Sequence, residues 1–185
     1  MRSLAFVAIA LACGCAGQPS QRASAVPPSG STSYYYGSVE FFSPDGKTPF
    51  GKTVSLIKRE INPLENKIVE AVIQPPRNQS DKSKEFIATM TRVSDTNEFL
   101  GTDPEHSFTG TQVFQGQGWS LPLWSYDIRL KDGGRITGTG SLDSEGIKTN
   151  KLFASAAGAP TVLMKEDLRA ITSSEYAKRR QELLP

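Results

Sequence analysis

Leu123-Trp124-Ser125-Tyr126-Asp127-Ile128-Arg129-Leu130-Lys131-Asp132-Gly133-Gly134-Arg135-Ile136-Thr137-Gly138-Thr139-Gly140-Ser141-Leu142 carries the plainest pattern in the chain. Trp124, Tyr126, Ile128 and Leu130 alternate with Ser125, Asp127, Arg129 and Lys131. Successive side chains of a strand point to opposite faces, so this is a half-buried strand with one apolar face. After a turn, Ile136, Gly138, Gly140 and Leu142 alternate with Arg135, Thr137, Thr139 and Ser141. Parity then limits the register. A two-residue loop pairs Leu130 with Arg135 and opposes an inside residue to an outside one. A three-residue loop, Asp132-Gly133-Gly134, pairs Leu130 with Ile136, Ile128 with Gly138, Tyr126 with Gly140 and Trp124 with Leu142. The second solution keeps both apolar faces together, and a glycine supplies the left-handed residue such a loop needs. It also sets glycines beside large side chains.

The same short β-type runs extend outward in both directions. Upstream lie Tyr34 to Phe42, Thr53 to Ile61, Lys67 to Gln74, Glu85 to Val93, Glu98 to Thr102 and Phe108 to Gln115. Ser43-Pro44-Asp45-Gly46, Asn62-Pro63 and Pro75-Pro76 separate the first of them as turn signals. Downstream come Ile147 to Phe153 and a short Thr161 to Met164. The fold class this predicts is all-β: an antiparallel meander forming a barrel or bent sandwich of about eight to ten strands. One C-terminal α-helix packs outside it. Thr172-Ser173-Ser174-Glu175 reads as a capping box, with Glu175 reaching back to the cap, and Ile171 with Tyr176 as a hydrophobic staple. Tyr176, Leu183 and Leu184 face the body, while Lys178, Arg179 and Arg180 face mostly outward.

The N-terminus reads differently. Arg2 precedes an apolar run, Leu4 to Ala12, and Cys13-Gly14-Cys15 follows. Charge, apolar run and small-residue exit make a secretion signal, too short to span a bilayer as a helix. Residues 16–33 contain one large apolar side chain, Val26, and form a tether with an r.m.s. span of about 20–25 Å. The organisation expected is a signal peptide over 1–14, an anchoring cysteine and disordered tether over 15–33, and one β domain over 34–185. The 185 residues fit a single domain once the leader is removed. Both cysteines lie in the leader region, so the domain stands on packing without a disulfide. A formal charge of +2 argues against nucleic acid as a partner.

The end of the leader resembles the lipobox of bacterial lipoproteins. That resemblance implies a tri-acylated cysteine: Cys15, preceded by the small residues Ala12, Cys13 and Gly14, or alternatively Cys13. Ala16 follows Cys15 where Asp would imply inner-membrane retention. The resemblance therefore points to the outer membrane, facing the periplasm or the cell surface. The strand meander closed by one helix, over Tyr34 to Leu184, looks like the lipocalin-type or calycin barrel, without the Gly-x-Trp motif of the first lipocalin strand. The run Asn66-Lys67-Ile68-Val69-Glu70 and the Gly138 to Gly146 segment resemble bacterial lipoproteins of this layout without a known activity.

A search for chemistry finds little. His106 with Asp103 and Glu105 makes a thin metal candidate without a second histidine, and no metal or cofactor is expected. No nucleophile elbow occurs. Gly116-Gln117-Gly118 is a turn, and Asn78-Gln79-Ser80 is loop. Glu60 and Glu70, on neighbouring strands, are the one acid pair to weigh for glycoside cleavage, with surface charge as the plainer reading. Lys178-Arg179-Arg180 reads as a solvated helix face before a lipid-headgroup contact. The chain is expected to be no enzyme. It is expected to be a lipid-anchored envelope protein with a structural or protein-interaction role. The alternative is a binder of a small apolar or amphipathic ligand lined by Phe108, Trp124, Tyr126 and Phe153, with Gly110, Gly138 and Gly140 leaving room. Labelling with a fatty-acid analogue tests the anchor: Cys15→Ser should lose the label and Cys13→Ser should keep it.

Overall fold

The computed structural model describes residues 30–74, 83–93, 96, 98–103, 108–115, 119 and 122–184, with the backbone alone for 84, 98, 102, 103 and 108–115. The leader with Cys13 and Cys15, the Asn78 sequon, Glu105, His106 and the Gly116 turn lie outside the described residues. Among the described residues ten strands follow in order: β1 Ser31–Phe42, β2 Pro49–Asn62, β3 Lys67–Gln74, β4 Lys84–Arg92, β5 Glu98–Asp103, β6 Phe108–Gln115, β7 Leu123–Leu130, β8 Arg135–Leu142, β9 Gly146–Ala154 and β10 Pro160–Ile171. Each pairs antiparallel with its sequence neighbour, and β1 also pairs with β10 from Tyr34↔Ile171 to Phe42↔Leu163. The sheet is thus a closed meander barrel with helix α1, Ser173–Leu183, outside.

Four details differ from the sequence reading. First, β1 begins at Ser31, and Ser31, Thr32 and Ser33 pair with Ile61, Glu60 and Arg59. The long β2 offers these polar residues a ladder, so the ordered domain starts inside the expected tether. Second, β10 does not stop at Met164 but runs to Ile171. Leu168 continues the inward phase of Met164, while Lys165 and Arg169 face out.

Third, the β7–β8 register slips by two. Leu130 N donates to Gly134 O at 2.8 Å and Gly133 N to Leu130 O at 3.0 Å, so the loop is Lys131-Asp132-Gly133. Gly133 supplies the left-handed residue at φ +86°, and Asp132 Oδ1 accepts from Gly134 N at 2.9 Å. Ile128 therefore pairs with Ile136, Tyr126 with Gly138 and Trp124 with Gly140. The slip is even, so inside stays inside.

Fourth, two of the three basic residues on α1, Arg179 and Arg180, are engaged, while Lys178 is exposed. Thr172 caps the helix, its Oγ1 accepting from Glu175 N at 3.2 Å, but the Glu175 carboxylate takes Arg169 at 2.5 Å instead of the cap. Arg180 grips Glu85 of β4 at 2.6 and 3.2 Å, and Arg179 lies 4.7 Å from the centre of the Tyr36 ring. Beneath them Tyr176 packs with Leu56 and Ile73, flanked by Tyr34, Tyr36, Ile171, Leu183 and Leu184.

The two glycines facing β7 do different work. A Cβ on Gly140 would sit 2.3 Å from Trp124 Cε2, so the indole lies on bare backbone there. A Cβ on Gly138 would strike the Asn150 carbonyl at 1.9 Å, so that glycine serves a close approach of strands and not the Tyr126 ring. Overpacking a fixed ring costs about 1–3 kcal/mol. Gly140→Ala should lose that much in urea unfolding. Gly51→Ala meets only Phe41 at an ordinary 3.4 Å and should stay within about 0.5 kcal/mol of the parent. Equal stability of parent and Gly140→Ala would refute the contact.

Candidate functional site

Closure sends one residue in two of every strand into a shared lumen. Toward the end where β1 begins, the lumen is filled. Tyr35, Ile57, Ile68, Val72, Met90, Phe99, Trp124, Ile147 and Leu168 form one buried cluster. Trp119, from the segment before β7, meets Phe99 edge-on at 5.6 Å and stands 5.3 Å from the Arg92 guanidinium. Toward the other end a second cluster, Val39, Phe41 and Met164, is flanked by the half-buried Phe153 and Val162.

Between the two lies a belt of polar side chains. β9 and β10 bring Thr149 opposite Glu166 and Lys151 opposite Met164, all in the inward phase. Glu166 is 2 % exposed; its Oε2 accepts from Lys151 Nζ at 2.8 Å and Thr149 Oγ1 at 2.6 Å. Its Oε1 accepts from Gln74 Nε2 of β3 at 3.1 Å, a bond that reaches across the lumen side of β1 and β2. Within the filled half Arg59 of β2, also 2 % exposed and flanked along its strand by Ile57 and Ile61, donates through Nε to Glu70 Oε1 of β3 at 2.7 Å. Its guanidinium carbon is 4.9 Å from the Trp124 ring centre, and its Nη1 is buried with no hydrogen-bond partner. Tyr126 completes the belt, edge-on to Trp124 at 6.2 Å and 5.1 Å from Lys151 Nζ.

The electrostatics follow from this enclosure. Desolvation pushes the Tyr126 phenol up to about 12, so it is neutral at physiological pH. Burial works against the charged form of Lys151, yet the Glu166 carboxylate overrides it and holds the ammonium above its ordinary range. Burial likewise opposes the Glu166 carboxylate, and Lys151, Thr149 and Gln74 together hold it below the ordinary range. Lys151 keeps 20 % of its side chain accessible and Glu70 keeps 16 %. Both occupy the inward phase of their strands.

The expected lining residues separate. Trp124 is 3 % exposed and belongs to the filled half. Tyr126 stands in the belt, and Phe153 in the second apolar cluster. Phe108 pairs with Leu130, and only its backbone is described. Glu60 pairs with Val69 and Glu70 with Arg59, so the two acids lie on opposite faces and form no catalytic pair. Arg59, Lys151 and Glu166 escaped the sequence reading, and Glu70 entered it only as the partner of Glu60 in an acid pair. Their signal was phase: each occupies an inward position on its strand. Among the described residues no group of three or more His, Cys, Asp or Glu is placed to hold a metal, and no helix is long and apolar enough to cross a membrane. No family model and no curated protein sequence matches the chain.

Breaking a buried ion pair from one side costs about 3–5 kcal/mol because the other charge is left unpaired. Glu166→Gln should lose about 3 kcal/mol, the lower figure reflecting the accessibility of Lys151. The pH limits have definite signs. Glu166 is depressed in the folded state, so its contribution stands above pH 4.5 and is lost as pH falls below it. Tyr126 is raised, so its contribution stands below pH 10.0 and is lost as pH climbs toward about 12. Denaturant melts across pH should show a Glu166→Gln deficit that shrinks in acid, and a Tyr126→Phe profile flatter in alkali than the parent's.

Proposed function

We propose that the protein is a non-catalytic, lipid-anchored lipoprotein of the bacterial cell envelope, held at the outer membrane through Cys15, whose lumen binds one small amphipathic molecule. The polar belt supports this reading. Buried ion pairs are poor stabilisers, and hydrophobic residues of the same volume often serve a core as well or better. A barrel evolved only to be full has little use for two ion pairs in its interior. A binding site does, because a few placed polar groups among apolar walls give a ligand its orientation. The lipocalin-like layout and the lipobox-like leader agree with it.

A purely structural lipoprotein is the second reading, favoured by the filled half of the lumen, where Trp124 lies on Gly140. Native mass spectrometry of the delipidated domain, purified from its own envelope, separates the two. The binder predicts a co-purifying small molecule whose removal changes tryptophan emission, since Trp124 adjoins Arg59 and Tyr126 in the belt. A ligand-free domain that carries an envelope protein through purification would overturn it in favour of the scaffold.

A further inference from the structure

The two rims of the barrel show different surfaces to solvent. In an antiparallel meander the odd-numbered strands all start at one rim, the rim where β1 enters beside Ile61 of β2. Among the described residues five large apolar side chains are exposed: Phe50, Leu64, Ile87, Leu100 and Leu123. Three of them gather toward the rim of entry. Leu64 stands in the β2–β3 turn, Leu123 opens β7, and Leu100 is third in β5, about 7 Å along its strand. Leu64 is the barest of the five at 74 %.

The turn that presents Leu64 is firmly built. Pro63–Glu65 form a single 3-10 turn, and Asn62 Oδ1 caps it by accepting from Glu65 N at 3.3 Å. Asn66 closes it in the left-handed region at φ +54°, with its N–H donating to Pro63 O at 3.3 Å. The Asn66 carbonyl accepts from Arg92 N of β4 at 2.8 Å. The backbone is fixed while the leucine stays in water. Nearby charges are paired, Lys67 with Glu65 at 3.3 Å and Lys148 with Glu145 at 3.4 Å.

Position along the chain says what meets this rim. On the lipid-anchored reading, the 30 − 15 = 15 positions from Cys15 to Gly30 have an r.m.s. span of about 20 Å. The twelve-residue β1 gives a barrel height of about 30 Å at ordinary strand tilt. The same chain would have to run back along the whole barrel to bring the Phe50 rim to the lipid.

We infer that the rim of entry seats on the membrane that holds the anchor, with Leu64, Leu100 and Leu123 in the boundary between headgroups and acyl chains. The seating rests on the lipid-anchored reading above and adds to it which end of the barrel meets the lipid. Side chains lodged in that boundary reach about 5–10 Å deep, enough to cover all three leucines. The filled half of the lumen then faces the membrane. Because the neighbouring charges are paired, the contact is apolar and indifferent to salt.

Single-thiol probes on the full acylated chain, reconstituted in phosphatidylcholine vesicles, test the seating. With Cys15 acylated and Cys13 in the leader, an introduced cysteine carries the only free thiol. Glu65→Cys reports the rim of entry, and Lys47→Cys, in the exposed β1–β2 turn, reports the opposite one. An environment-sensitive fluorophore at Glu65→Cys should shift to the blue and be quenched by nitroxide lipids, in low and high salt alike. At Lys47→Cys it should stay unshifted and unquenched. Leu64→Ser with Leu123→Ser should lower the docked-to-undocked ratio about tenfold per leucine and leave the urea midpoint unchanged, since neither side chain is buried. If that variant is unstable, the two parent probes decide alone. A chain that floats with the vesicles while both probes stay in water would overturn the seating and leave the anchor standing. Equal quenching at the two rims would overturn it too, as would a blue shift at Glu65→Cys without quenching, which marks contact with another protein copy. A chain that does not float would remove both seating and anchor.

Discussion

Closure by the β1–β10 ladder is the constraint on which the rest of this protein depends. A closed sheet has no edge, so its inward side chains have no escape to solvent along one. Every polar residue in the inward phase must find a partner among other inward residues. Glu166 finds Lys151, Thr149 and, from the far wall, Gln74. Arg59 finds Glu70 and the face of Trp124. The Gln74–Glu166 and Arg59–Trp124 contacts join strands distant in the chain, and only the ring brings those together. The ladder that closes the ring and the belt inside it are parts of one arrangement.

The helix belongs to the same arrangement. α1 leaves the end of β10 and lies on the outer faces of β1 to β3, so it crosses the seam that closes the barrel. Tyr176 fills a gap between Leu56 and Ile73, and Arg180 extends the attachment to Glu85 on β4. The exposed Arg180–Glu85 pair contributes little to stability on its own. Its use is geometric, since it fixes the helix across strands from both sides of the β1–β2 hairpin.

Local alternation was enough to read the meander and its turns from the chain, and to place Trp124, Tyr126 and Ile128 inside. It failed where the deciding contact is not local. Parity allows any even slip in the β7–β8 hairpin, and the choice between slips belongs to Gly133 and the Asp132 side chain. The tail of β10 was missed because Glu166 breaks an apolar run, although its position continues the phase of Met164 and Leu168. Lys151 hides in the same way between Ile147 and Phe153. Composition marks such residues as surface; phase marks them as interior. The partners that make the interior tolerable lie on other strands, and a single sequence does not say which strands meet.

The two halves of the lumen answer different demands. In the filled half, aromatic rings and aliphatic side chains interdigitate, and the bare backbone of Gly140 receives the Trp124 indole. That half also gives the belt a rigid floor, since Trp124 supports Arg59 from one side and Tyr126 from the other. The belt can then hold charges whose pairing adds little net stability, because the cost of orienting them is borne by packing below. Moving the charges one strand pair deeper would bury them entirely among rings and remove what accessibility Lys151 has. Moving them one pair toward the rim would let water screen them. Mid-lumen is the depth at which a lysine is dry enough to be held by one carboxylate without losing its last accessible surface.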